Sequence, residues 1–399
     1  MMIGLLALTL GMATSPTRNF ASDLDFLKNH VHTVVLKEPG GAAVAVVPSW
    51  QARVVTSSYN SKTGQSMGFI NYPLIASGKV TKGMYAVGGE DRIWIGPEGG
   101  QFSLFFKNGA PFDLAHWQTP AFVDTQPFTV VKQTTNSIDC ARNASVTNRS
   151  GFTFHLKIDR KIQMLNKKQV DSELGIVVPS SVKFVAFESR NSVTNNGQDP
   201  WLANTGLISI WILDQFKHSP TTTVILPYHQ GPKSTLGVIV NDTYFGKVPA
   251  SRLKVSNGVI YFRADGKDRT KIGLNPRRAK DVVGSYDPAR KLLTIIKYNK
   301  PANQDRYVNS MWEIQKHPFS GDVVNSYNDG PPAPGKAPLG PFYEVENSSP
   351  ALSLRPGESA IHISKTFHFY GSAAQLESIA MKVLGVSIAP LTNLHYWGG

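Results

Sequence analysis

Phe152-Thr153-Phe154-His155-Leu156-Lys157-Ile158-Asp159 carries an apolar side chain at every second position. So does Ile361-His362-Ile363-Ser364-Lys365-Thr366-Phe367-His368-Phe369, with Lys365 the one break. Successive side chains of a strand point to opposite faces. A period of two therefore predicts strands with one face on a core and the other toward solvent or a cleft. Further strands are expected over Ala43–Val47, Val182–Phe187, Leu207–Leu213, Thr222–Leu226, Gly237–Val240, Gly258–Ala264 and Lys291–Tyr298. Turn pairs separate them, among them Asn108-Gly109, Asn196-Gly197, Asn257-Gly258, Asp265-Gly266 and Asp329-Gly330. So many short strands in one chain predict an all-β fold, a large antiparallel sandwich. Two helices are expected. Ser22 caps a short one over Asp23–His30, and Ser372 with Gln375 forms a capping box. In the second, Leu376, Ile379, Ala380, Val383 and Leu384 share one face and Gly385 stops the helix. That face predicts a helix laid over a sheet. Asp329–Leu339, rich in Pro and Gly, reads as a long loop, and residues 22–399 as a single domain.

Composition narrows the class. The chain has 399 residues, with apolar residues at 41%, charged residues at 17%, 34 Gly and 26 Pro, which excludes disorder, collagen and a coiled coil. One cysteine, Cys140, permits no intrachain disulfide. The apolar run Ile3–Ala13 is too short to span a bilayer. With small residues at Gly11 and Ala13 it predicts a secretory leader over residues 1–21, hence a secreted or periplasmic bacterial protein. The usual Lys or Arg ahead of such a run is missing. No later stretch reads as transmembrane, and a monomer is expected. The 41 Lys and Arg exceed the 28 Asp and Glu by 13, and Ser251–Lys300 is especially basic. That segment is read first as a solvated sheet face, and second as a surface for an acidic polysaccharide. No nucleic-acid-binding signature accompanies it, so no nucleic-acid partner is expected.

Three segments combine polar, glycine and aromatic residues. In Gly88–Gly100, glycines flank a short aromatic strand and allow backbone to approach a ligand; Glu90, Arg92 and Trp94 alternate onto one face. A carboxylate, a guanidinium and an indole together suit a sugar; the alternative is a structural Glu–Arg pair beside a core Trp. In Gly321–Gly330, Asp322, Asn325, Asn328 and Asp329 read as ligand contacts or an Asx-rich turn, with a Ca²⁺ site as a lesser alternative. In Phe342-Tyr343-Glu344-Val345-Glu346, two carboxylates share one strand face, which raises one pKa and suits a general base or acid. The alternative is an edge strand with two solvated Glu. His116, beside Trp117, is more often a packed or surface residue than a catalyst. The histidine spacing shows no strong metal motif, and no motif demands a cofactor.

The segment Phe342–Ser359 resembles the late strand pair of galactose-mutarotase-like proteins, and Gly89-Glu90-Asp91-Arg92-Ile93 resembles their early substrate-binding strand. The chain from Ala42 to Leu384 is similar to an uncharacterised bacterial family of that superfamily. The resemblance implies a β-supersandwich that binds carbohydrate on a concave sheet face. It also implies Arg92 as the substrate-binding arginine and Glu344 or Glu346 as the base that removes the anomeric proton. Asn196, in Thr194-Asn195-Asn196-Gly197, stands where those proteins carry the histidine acid. An amide cannot replace that proton donor.

Two functional readings follow. One is a carbohydrate-active enzyme of epimerase, glycosidase or lyase type, with Glu344 or Glu346 as base and Glu98, Tyr327 or His116 as acid. Its ligand is a sugar or oligosaccharide, neutral or acidic. The other is a non-catalytic carbohydrate-binding protein of a polysaccharide-utilisation system.

Overall fold

A computed structural model describes residues 18–393, 396 and 397. Strands organise it into three antiparallel sheets. The smallest is β1 (Val34–Lys37), β2 (Ala43–Val47) and β3 (Arg53–Ser58). A five-stranded sheet runs β13 (Thr270–Leu274), β16 (Val324–Asn328), β17 (Phe342–Ser348), β9 (Ser209–Lys217), β4 (Arg92–Gly96). A ten-stranded sheet begins β11 (Leu253–Ser256), β12 (Val259–Arg263), β10 (Thr223–Pro227), β14 (Val282–Asp287), β15 (Leu292–Tyr298). It continues β18 (Ser359–Tyr370), β8 (Lys183–Asn195), β7 (Thr153–Met164), β6 (Ser137–Thr147), β5 (Thr129–Gln133).

The two large sheets pack face to face. Ile93 and Ile95 of β4 and Ile210 and Ile212 of β9 meet Phe154, Ile158 and Ile162 of β7 and Val185 and Phe187 of β8. Further along, Ile272, Val324 and Val345 meet Val224, Phe262, Val283 and Ile296. The alternation in β7 holds: Phe154, Leu156, Ile158 and Ile162 are buried while Thr153, His155 and Lys157 are exposed. The architecture is mostly β, with large antiparallel sheets.

The alternation in β18 has the opposite meaning from a solvent-facing polar row. His362, Ser364, Thr366 and His368 face inward and are buried. Phe367 and Phe369 face outward, where helix α5 (Ala373–Val383) covers them with Leu376, Ile379 and Ala380. His362, Ser364 and His368 of this inner row are hydrogen-bonded, while the Thr366 hydroxyl has no partner among the described residues. His362 Nε2 is 2.7 Å from Asn347 Oδ1, and His368 lies between Thr294 Oγ1 at 2.8 Å and Glu90 Oε1 at 2.8 Å. Buried polar groups persist when paired in this way.

Helix α5 starts at the capping box of Ser372 and Gln375, as expected. Helix α1 (Phe20–His30) starts earlier than expected: Asn19 is the cap and Ser22 its reciprocal partner. Phe20 is fully buried there, so residues 18–21 belong to the folded chain; the rest of the expected leader lies outside the described residues. Three helices were not anticipated: α2 (Tyr72–Ser77), α3 (Lys167–Leu174) and α4 (Lys233–Leu236). Gly237–Val240 forms no strand; Gly237 instead caps α4. Asp329–Leu339 is a loop, as expected. Among the described residues, no helix is long and apolar enough to cross a membrane.

Candidate functional site

Register decides which side chains share a face of the five-stranded sheet. Lys271 pairs with Tyr327, Tyr327 with Glu344, and Glu344 with Gln215. Glu346 pairs with Leu213, which pairs with Arg92, and Trp211 pairs with Trp94. All of these project away from the ten-stranded sheet, because Ile272, Val345, Ile212 and Ile93 between them enter the core. On that outer face lies a cavity of about 490 Å³. Its lining includes Arg92, Glu344, Lys271, Glu98, Tyr327 and Arg269.

Four tryptophans line it: Trp94, Trp117, Trp211 and Trp312. Trp94 meets Trp211 edge-on with ring centroids 5.5 Å apart, and Trp117 stacks on Trp312 at 6.3 Å. The Arg92 guanidinium lies 4.8 Å from the Trp94 ring, and Lys271 Nζ 5.1 Å from Trp211. These rings fix two cations against aromatic faces.

The carboxylates sit among the cations. Arg92 Nη2 donates to Glu344 Oε1 at 2.6 Å, and Gln215 Nε2 donates to the same oxygen at 2.9 Å. Glu346, fully buried beneath, accepts from Lys271 Nζ at 2.8 Å and Trp211 Nε1 at 3.1 Å. Glu98 Oε1 accepts from Trp117 Nε1 at 2.9 Å. Burial pushes the Glu344 carboxyl up to about 7; Arg92 opposes the rise and Glu346 adds to it. Burial also raises Glu98, against the pull of Lys271. Burial works against the charge on Lys271, but Glu346 and Glu98 outweigh it and hold the ammonium above its ordinary value.

At one end of the cavity Tyr327 Oη donates to Asp329 Oδ1 at 2.7 Å and accepts from Arg269 Nε at 3.3 Å. Burial, with Asp329 beside it, lifts the Tyr327 phenol well above its usual range.

The remaining candidates lie elsewhere. Glu90 does not share the face of Arg92 and Trp94. It precedes β4 and turns into the sandwich, where Ser57 Oγ donates to it at 2.5 Å and His368 is its other partner. Next to it, Asp91 is paired with Arg160, and Asp214 is buried without a hydrogen-bond partner among the described residues. Asn196 lies beside His155 on a separate groove along β6 and β7. His116 is exposed and paired with Asp113 at 2.7 Å, because Asp113 closes a turn that aims it at solvent while Trp117 turns inward. Asp322 and Asn325 lie in a small recess behind Lys271, where Tyr244 Oη donates to Asp322 at 2.7 Å and accepts from Asn325 at 3.0 Å. Asn328 is on the core face of β16, bonded to Gly266 N–H and Asp268 O. Asp322, Asn325, Asn328 and Asp329 therefore do not converge on a Ca²⁺ ion. The glycines of Gly88–Gly100 make room for protein rather than ligand: a Cβ on Gly88 would lie 2.1 Å from Phe69 O, and one on Gly99 2.1 Å from Met311 O.

Residues not anticipated are Lys271, Gln215, Trp117, Trp211, Trp312, Arg269 and Phe245. Trp211 and Gln215 continue the alternation of β9 on the face of Leu213. Lys271 and Arg269 belong to the basic segment, most of whose other arginines are used internally: Arg252 and Arg263 pair with Asp265, and Arg278 donates to backbone carbonyls.

The fold is that of galactose-mutarotase-like proteins, and the carboxylate-bearing cavity lies on the outer face of its five-stranded sheet. The chain belongs to DUF6786, a family of unknown function whose model matches residues 18–395. An Escherichia coli K12 protein provisionally described as an aldose 1-epimerase superposes with a TM-score of 0.52 at 13% identity, covering 85% of this chain and 99% of its own. A galactose mutarotase-like protein from Lactobacillus casei gives 0.47 at 11% identity, covering 85% and 100%. A galactose mutarotase related enzyme from Lactobacillus acidophilus gives 0.48 at 9% identity, covering 86% and 98%. No curated protein matches the chain in sequence.

Proposed function

We propose that the protein binds a sugar or oligosaccharide in the tryptophan-lined cavity and acts on it by carboxylate acid–base chemistry. The observation that carries this is Glu344, whose carboxyl is pushed up to about 7 while it lines the cavity. A base poised near the working pH combines the right protonation state with proton affinity. Glu344 takes the proton from a sugar hydroxyl or carbon. Glu98, whose carboxyl burial shifts toward the protonated form, returns one to the oxygen that needs it. Indole faces take the C–H face of the ring. The buried Trp94 Nε1–H has no protein acceptor among the described residues.

A second reading, a non-catalytic binder, is favoured by one observation. Arg92 and Gln215 both hold Glu344 Oε1, an arrangement that also suits a purely structural ion pair. Incubation of the protein with neutral and acidic sugars, followed by NMR, separates the two. Anomeric exchange, new reducing ends or an unsaturated product, lost in Glu344→Gln, is the expected result. Saturable line broadening with no chemical change establishes the binder; no broadening and no turnover removes both readings.

A further inference from the structure

The charges around the cavity do not balance. Lys82, Arg92, Arg269 and Lys271 line it, against Glu98 and Glu344. Arg92 is paired with Glu344 and Lys271 with Glu346. Among the described residues, Arg269 and Lys82 form no ion pair with any carboxylate. The acids nearest Arg269 in sequence are occupied: Asp265 by Arg252 and Arg263, Asp268 by Arg252. Asp329, its electrostatic neighbour, already accepts from Tyr327 Oη and from the Gly340 N–H.

Arg269 is also held in place. Its guanidinium lies 3.8 Å from the centre of the Phe245 ring, and Nε is tied to Tyr327 Oη. Stacking fixes the plane and the Nε bond fixes the rotation within it. The Nη1 and Nη2 hydrogens take no protein acceptor among the described residues. An oriented, unfilled fork of this kind matches two oxygens of one anionic group, as a point charge does not.

Resting on the sugar-binding reading above, we propose that the ligand is an acidic sugar whose anionic group, a uronate carboxylate or a sulfate ester, seats on the Arg269 fork with Lys82 as the second cation. Arg269 is then the residue that sets specificity, separate from Glu344 and Glu98. The loss of a charge-assisted, two-point contact is worth roughly 10- to 100-fold in affinity.

The test follows the quenching of intrinsic tryptophan fluorescence by matched pairs: oligogalacturonates and oligoglucuronates against their carboxyl-reduced forms, and galactose 6-sulfate against galactose. Tighter binding of a uronate than of its reduced form by about tenfold or more, abolished in Arg269→Met and not restored by Arg269→Lys, supports the proposal with a carboxylate. The same pattern for the sulfate pair alone supports it with a sulfate ester. Equal binding of charged and neutral partners by the unmodified protein overturns the proposal and leaves sugar binding intact. A charge preference that survives in Arg269→Met also overturns it. If no sugar of either kind quenches fluorescence, the sugar-binding reading falls and the proposal with it. The comparison within the unmodified protein stands whether or not a variant folds.

Discussion

Arg92 on β4 and Glu344 on β17 are joined at 2.6 Å across β9, the strand that separates them and supplies Gln215 to the same carboxylate oxygen. A salt bridge this buried holds charge against a large desolvation cost, and removal of either partner leaves the other uncompensated. Glu344 answers to both effects: burial lifts its pKa and Arg92 restrains it.

The Glu344→Gln variant is expected to fold and to lose turnover by roughly 10²–10⁴-fold. In the unmodified protein kcat/KM is expected to rise with pH through about 7 as Glu344 ionises. A flat profile between pH 5 and 8 removes Glu344 as the base.

The Arg92→Met variant takes away the charge that opposes the rise, so the acid limb moves to higher pH. The direction is the check: a limb that moves to lower pH shows that Arg92 does not act on Glu344.

Stability follows the same group with a definite sign. Glu344 binds its proton more tightly folded than unfolded. Its contribution is therefore fully present below the ordinary value of 4.5 and is lost as pH rises through about 7. Glu344→Gln removes that loss. Its thermal midpoint relative to the unmodified protein should climb between pH 5 and pH 8, by a free energy of no more than about 3 kcal/mol. Parallel melting curves at the two pH values count against the assignment.

Glu90 provides a contrast within the same stretch of sequence. It is buried between Ser57 and His368 and away from the cavity. His368→Leu is expected to cost about 1–3 kcal/mol in denaturant unfolding by removing one of the two donors to the buried Glu90 Oε1 and leaving Ser57 alone. Sugar affinity measured on the folded fraction should not change. A selective loss of affinity places Glu90 in the site after all.

Trp312→Ala should weaken sugar binding by about tenfold or more while costing little stability. The residue is only partly buried and its ring stacks on Trp117 at the cavity wall. Unchanged affinity moves the ligand to another surface.

The sheets were legible because strands with a mixed apolar and polar face announce themselves. Ala43–Val47 and the α5 capping box at Ser372 and Gln375 coincide with the structure. The polar row of β18 was legible as a row but not as an interior: Ser364 and His368 look solvated until Asn347, Thr294 and Glu90 arrive from distant strands to bond them. Helix α3 had a readable signal, Asn166 with Gln169 as its capping box, but its apolar face is short. The site was half legible. Arg92, Trp94 and Glu344 came from local density, and Glu98 lies in the same glycine-bounded loop. Lys271 and Arg269 sat within a basic run whose members differ only in which acids lie across from them, and register alone supplies that information. Glu90 and Arg92 looked alike two residues apart because the alternation breaks ahead of β4, a break that no residue type marks.

In β17 the residues on the outer face, Glu344 in the cavity wall and Glu346 beneath it, interleave with those that fill the sandwich, Tyr343 and Val345. A single inserted or deleted residue would exchange the two sets at once, placing carboxylates in the core and an aromatic ring and a valine in the cavity. On β17, therefore, a point substitution can be accommodated where a change of length cannot. The loops that bear Trp117, Phe245, Trp312 and Leu339 around the cavity carry no such register, so a change of length there would reshape the rim and leave the sandwich intact.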